Sequence, residues 1–265
     1  MGRLIHPKLS YSVRGVLLNV HNALGPLLKE AYYRDAIAIG LNGRGIRCVT
    51  EKAFEVYYRD ERVGLYFVDV WIEDGKLLLE LKVSPSIEGI HRAQAISYLK
   101  VTNADLAIVV SYGGASLMDE RLPNFLAERQ TDFVWQLQAG ADGLLHPELV
   151  NEILRACYRV HRRLGPGFLH QVYRRATMIE LRHQGLDYDY IKRRPVEYRG
   201  QLLGYQDVRL ILVEGCVVLA TFALKEVDDA LVERMKGNLV FLDARLGLLA
   251  NFYGARPVVT PVRVG

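Results

Sequence analysis

The sequence predicts an α/β protein made of two tandem α-β-β-β-α-β domains, each with a mixed central sheet flanked by helices. Three observations carry that expectation. The chain repeats itself at a constant offset of 140 residues. Each repeat runs through helix-period and strand-period segments in the same order. An Asp-Gly pair also sits between two apolar runs, the strongest short hairpin signal a sequence offers.

The repeat is visible at separated points. "IHPKL" at 5 recurs as "LHPEL" at 145, "VHNALGP" (20–26) as "VHRRLGP" (160–166), and "YYRDAI" (32–37) as "VYRRAT" (172–177). Tyr58-Arg59 matches Tyr198-Arg199, Gly64 matches Gly204, and Gly75 matches Gly215. No gap is required. The domains are therefore set at 1–118 and 144–265, joined by a linker over 119–143 that has a helix-compatible stretch before "AGADG".

In the first copy a helix is expected over about 10–23, broken by Gly25-Pro26, and a second over about 29–43 that stops near Gly43 or Gly45. Strands are expected near 47–58, 64–73 and 76–83, then a helix over about 88–101 and a buried strand in "ADLAIVVSY" (104–112).

The hairpin "DVWIEDGKLLLELK" (69–82) carries charge where apolar residues would pack better. With Asp74-Gly75 as the loop, Ile72 pairs with Leu77, Trp71 with Leu78 and Val70 with Leu79. Asp69 then faces Glu80, roughly 5 Å apart at Cβ, and Lys82 leaves the same face as Glu80. Like charges in that position destabilise a sheet unless a divalent cation or a neighbouring ammonium offsets them. A solvated strand face with an ordinary ion pair is the other reading of the spacing.

Composition narrows the classes. Half of the 265 residues are apolar and a quarter charged, which argues for a folded globular chain and against disorder. No apolar run approaches the ~20 residues of a membrane helix, so no membrane partner is expected. Cys48, Cys157 and Cys216 form no CxxC pair, and "MGRLIHPKLS" shows neither a signal-peptide core nor a myristoylation site, so the expected compartment is the cytoplasm. The net charge of +4 falls entirely in the second half: Lys+Arg and Asp+Glu balance over 1–140, whereas 141–265 has 18 against 14. No P-loop, GxSxG elbow or dinucleotide fingerprint is present, and "YGGAS" (112–116) reads as a turn.

The order of elements, with Asp69 on one strand and Glu80-x-Lys82 on the next, resembles the PD-(D/E)XK nuclease superfamily. "GPLLKEAYYRDAI" is similar to the signature of its GxxExxY family, "LLLELK" to that family's acidic strand, "HRAQAISYLK" (91–100) to its Gln-containing helix, and "IVVSYGG" to its closing strand. Val68 stands where the superfamily motif has Pro. The resemblance implies a Mg2+ or Mn2+ site held by Asp69, Glu80 and the Leu81 carbonyl. It implies that Lys82 orients or helps deprotonate the attacking water and neutralises phosphate charge, and that Glu30 is a helical acid completing the site. Gln94, on a helix face with His91 and Tyr98, would touch the scissile phosphate or the water; alternatively Gln94 and Tyr98 only tie helix to sheet. Tyr33 and His21 read as packed core residues.

At the 140 offset the working residues are gone. Glu30 becomes His170, Asp69 becomes Arg209, Glu80 becomes Ala220, Lys82 becomes Phe222 and Gln94 becomes Arg234. An Arg facing an Ala cannot hold a divalent cation. Arg209 and the run Lys192, Arg193, Arg194 are candidate phosphate contacts, or else a solubilising or protein-binding surface. Two functions follow as expectations. One is a metal-dependent nuclease for DNA or RNA, with one live site and a second copy that binds or pairs. The other is a non-catalytic scaffold or assembly protein. Pairing of the two halves in a pseudo-two-fold manner and homo-oligomer formation are expected by analogy with dimeric nucleases.

Overall fold

The computed structural model describes residues 5–124 and 144–265. They fall into two compact units, one of residues 5–56 with 64–124, the other of residues 57–63 with 144–265. The first copy runs α1 (Pro7–Leu24), α2 (Glu30–Asn42), β1 (Cys48–Tyr58), β2 (Glu61–Ile72), β3 (Leu77–Lys82), α3 (Gly89–Thr102), β4 (Leu106–Ser111) and β5 (Met118–Pro123). The second runs α4 (Pro147–Leu164), α5 (His170–His183), β6 (Tyr188–Tyr198), β7 (Gln201–Val213), β8 (Val217–Phe222), α6 (Asp229–Phe241), β9 (Leu246–Asn251) and β10 (Val258–Arg263).

Each copy is a five-stranded sheet ordered as in the chain, β1-β2-β3-β4-β5 and β10-β9-β8-β7-β6. β3–β4 and β8–β9 are parallel, bridged by α3 and α6; β2–β3, β4–β5, β6–β7, β7–β8 and β9–β10 are antiparallel. The fifth strand was not expected. "MDERLP" is polar because β5 is an edge strand with solvent beside it, and edge strands tolerate Pro. It also occupies the start of the stretch assigned to the linker at 119, while 125–143 lie outside the described residues.

Helix α1 starts earlier than expected because Pro7 occupies its first turn, where the missing N–H is unneeded. Gly25 ends it at φ 71. Tyr33, fully buried, then locks the link to α2: its Oη donates to the Gly25 carbonyl (2.7 Å) and accepts from the Leu28 N–H (3.0 Å). Tyr173 repeats this with the Gly165 carbonyl (2.8 Å) and the Phe168 N–H (3.2 Å). His21 and His161 tie their helices to the carbonyls of Gly114 (3.2 Å) and Gly254 (2.8 Å). A carbonyl only accepts, so each ring carries its proton on Nε2. Tyr33 and His21 are thus packing residues, as the sequence suggested.

One face of the first sheet buries Val70, Ile72, Leu77, Leu79, Leu81, Ile108 and Val110 against Val13, Leu17, Tyr33 and Ile37 of α1 and α2. Alternation therefore sends Asp69, Glu80 and Lys82 to the opposite face, the side of α3. "YGG" is a turn, as expected; a Cβ at Gly113 would lie 2.3 Å from the Ser84 carbonyl carbon, so only Gly permits this approach. Within the second unit, Glu180 is completely buried and accepts from Tyr58 Oη (2.6 Å), Arg59 Nε (2.7 Å) and Arg159 Nη1 (3.2 Å).

Candidate active site

The β2–β3 register is the one the Asp-Gly turn dictates: Ile72↔Leu77, Trp71↔Leu78, Val70↔Leu79. Asp74 (φ 53) and Gly75 (φ 99) take the positive φ that a mirror-image hairpin turn needs. Gly75 is doubly required, because a Cβ there would sit 2.6 Å from the Trp71 ring. Beyond Val70 a side chain takes over from the ladder: Asp69 Oδ2 accepts the Leu81 N–H at 2.8 Å. Asp69 Oδ1 has no hydrogen-bond partner among the described residues.

β3 lies at the centre of the sheet, so Glu80 is only 4% exposed. Both its oxygens are engaged. Lys82 Nζ donates to Oε1 at 2.6 Å and Tyr66 Oη to Oε2 at 2.9 Å. Burial and then the Glu80 charge push the Asp69 pKa up to about 7, against the opposing pull of the Leu81 N–H and Lys82. Burial raises Glu80 as well, against Lys82 and Tyr66. Burial would lower Lys82, but the Glu80 carboxylate outweighs it and holds the ammonium above its usual range. Lys82 is therefore a charged donor in this arrangement, suited to neutralising phosphate charge.

Tyr66 escaped the sequence reading. Counting alternation back from Asp69 puts it on the other face, yet its hydroxyl reaches Glu80 and its ring stacks on Tyr98 of α3 (3.6 Å between centroids), so the alternation is broken where the regular β2–β3 pairing stops at Val70. Tyr98 thereby ties α3 to the sheet. Gln94 is half-buried on the same helix and makes no hydrogen bond among the described residues. Glu30 opens α2 and is exposed; its charge raises Asp69 and Glu80 only as the weakest of the contributions. Leu81 brings its N–H to Asp69. Among the described residues no group of three His, Cys, Asp or Glu side chains is placed to hold a metal ion, and Glu30 reaches Asp69, Glu80 and Lys82 through its charge. Asp69 and Glu80 fit a hard cation that keeps several waters: one half-buried and one buried, they are oxygen donors whose charge the site under-compensates.

The second copy departs in backbone as well as side chains. β7 and β8 pair as Val213↔Val217, Leu212↔Val218 and Ile211↔Leu219, leaving three loop residues where the first hairpin leaves four. The lost residue reappears upstream. Between Ile191↔Leu210 and Arg193↔Asp207, one residue of β6 faces two of β7, Val208 and Arg209, and Arg209 takes φ 54. A one-residue slip exchanges the faces of a strand. Leu210 accordingly packs with Ala220 and Met235 of α6, whereas Val70 packs on the α1–α2 side. The expectation that Arg209 faces Ala220 is thus corrected: continuing the register puts Leu210 there.

Arg209, freed by the bulge, lines a cavity of about 270 Å³ with His170, Ala220, Phe222 and Arg234, so all five residues matching the first-copy site line one pocket. Lys192, Arg193 and Arg194 do not line it. Arg193 pairs with Asp207 (2.8 Å), and Arg194 donates to the Gly237 carbonyl (3.3 Å).

Fold and site define an α/β protein of two nuclease-like domains, the first with an acid–acid–lysine cluster on its central strands. The family model of the PD-(D/E)XK nuclease superfamily matches residues 7–122 and again 147–263, and the chain belongs to that superfamily through both copies. Nucleases of this superfamily generally use divalent metals. A solved structure described as that of SSO0001 is similar at 15% identity over 45% of this chain and 79% of its own, with a TM-score of 0.25. No curated protein matches. Among the described residues no helix is long and apolar enough to cross a membrane.

Proposed function

We propose that the first copy is a divalent-metal-dependent phosphodiesterase acting on DNA or RNA, and that the second copy has no catalytic role. The observation that carries this is the convergence of Asp69, Glu80 and Lys82 on the central strands, with both carboxylates held above their ordinary pKa range. Asp69, Glu80 and the Leu81 carbonyl would hold Mg2+ or Mn2+, which supplies Lewis acidity toward the phosphoryl group and a nucleophile at neutral pH. Lys82 places a fixed positive charge where the phosphate gains negative charge. Tyr66, hydrogen-bonded to Glu80 and stacked on Tyr98, holds that carboxylate in one orientation. Gln94, half-buried on α3, would meet the substrate phosphate or the attacking water. Plasmid, single-stranded DNA and RNA incubated with Mg2+ or Mn2+ test the reading; cleavage that persists in Glu80→Ala or Lys82→Ala would sink it.

A second reading has its own support. Both oxygens of Glu80 are already occupied by protein donors, which suits an assembly protein that uses the fold as a building block and self-associates. Calorimetric titration with Mn2+ separates the two. Binding that is lost in Asp69→Asn favours the nuclease, and no binding in the parent chain favours the scaffold.

A further inference from the structure

The pocket that replaces the metal site in the second copy has the construction of a ligand site. We infer that it binds a phosphate group carried on a small organic body: a mononucleotide, or the terminal nucleotide of a single strand. This stands whether or not the first copy cleaves anything.

Four basic side chains converge on the pocket: His170 and Arg174 from the first turns of α5, Arg209 from the β7 bulge, and Arg234 from α6. Arg174 is the informative one. It is only 6% exposed, its guanidinium lies over the Tyr190 ring (5.6 Å), and its buried Nε has no hydrogen-bond partner. Burial followed by the neighbouring Arg209 and Arg175 charges, against Tyr190, holds its pKa below the usual guanidinium value. A buried cation with an unmade hydrogen bond is unfavourable unless an anion completes it. Arg234 makes no hydrogen bond or ion pair among the described residues. Arg209 is paired to Asp207 (3.0 Å), but Asp207 is shared with Arg193, so positive charge remains in excess. His170 is the first residue of α5, so the unsatisfied N–H groups of that helix end add a further anion-attracting edge.

Phosphate fits this set better than carboxylate. Three guanidinium forks on different elements match an acceptor with several oxygens and up to two charges. Ala220 and Phe222 supply an apolar wall that bare phosphate would leave empty, so an organic body is expected behind the anion. At about 270 Å³ the cavity is just below the ~300–1,000 Å³ typical of small-molecule sites and has no room for a duplex.

The test is calorimetric titration of the full chain in EDTA, which silences any metal-dependent binding in the first copy. The probes are inorganic phosphate, a nucleoside, its 5′-monophosphate, and one oligonucleotide with a 5′-phosphate or a 5′-hydroxyl. The monophosphate is expected to bind at least tenfold more tightly than either the nucleoside or phosphate. Arg234→Glu is expected to weaken it at least tenfold, and Glu80→Ala to leave it unchanged. A 5′-phosphorylated strand that outbinds the monophosphate assigns the pocket to strand ends; equal affinity assigns it to free nucleotides. Arg174→Ala should abolish binding where its melting curve shows a folded chain, and exposed Arg234 decides the matter where it does not. No binding of any phosphorylated probe at millimolar concentration, or binding indifferent to both Arg234→Glu and Arg209→Ala, overturns the proposal.

Discussion

The two copies share one frame and carry opposite charge at the same place in it. In the first, Asp69, Glu80 and, more distantly, Glu30 surround a single ammonium, and the carboxylates are held above their ordinary range. In the second, His170, Arg174, Arg209 and Arg234 gather around Ala220 and Phe222. Their supporting devices are nearly identical: Tyr33 and Tyr173 on the Gly-Pro link, and His21 and His161 on the loop after the fourth strand. The comparison teaches that packing and chemistry occupy separable residues. The α1–α2 face of the sheet specifies the fold, and the α3 face is free to change sign.

The largest expected effect tests whether only the first copy works. Lys82→Ala should lower cleavage roughly 10²–10³-fold, as removal of one preorganised charge donor does. Phe222→Ala should leave it within twofold, and assays on one plasmid preparation compare them directly.

The next prediction concerns register. Arg209→Asp with Ala220→Glu restores the sequence-matched carboxylates, yet Mn2+ calorimetry should detect no new site, because position 209 belongs to the bulge. Leu210→Asp with Ala220→Glu places the pair across the strands. That variant should melt at lower temperature in EDTA and recover part of the loss with Mn2+. Recovery by the first pair and not the second would reverse the assignment of structural equivalents.

The third is a pH dependence. The Asp69 pKa rises from 3.8 to about 7 in the folded chain, so between those values the folded state holds a proton that the unfolded state has lost. Metal-free stability contributed by this group should therefore fall as pH rises from about 4 to 7. The difference in melting temperature between the parent and Asp69→Asn isolates it from the other titrating groups, and should shrink when Mn2+ is present. A flat difference across that range contradicts the raised pKa. The smallest effect sharpens the shared frame: Tyr33→Phe and Tyr173→Phe each remove hydrogen bonds at the same link. Denaturant unfolding should give about 1–2 kcal/mol for each, and similar values in the two copies.

Much of this was legible in the chain. The Asp-Gly turn, the alternation of "LLLELK" and the gapless repeat led to the hairpin register, the convergence of Asp69, Glu80 and Lys82, and the doubled fold. What stayed hidden did so for physical reasons. β5 is polar because it is an edge strand. Tyr66 lies beyond the regular β2–β3 pairing, which ends at Val70, so a parity count from Asp69 misplaces it. The slip of β7 left no trace in sequence length, since one residue lost from the turn is regained in the bulge.

That cancelling pair of changes has an evolutionary consequence. A site emptied by substitutions alone can be refilled by reverting them. Here position 209 sits in the β7 bulge while positions 220 and 222 keep their register on β8, so reverting Arg209 alone does not bring a carboxylate opposite position 220. The slip thus acts as a ratchet at that one position, because undoing it takes a change of backbone register as well as of side chain.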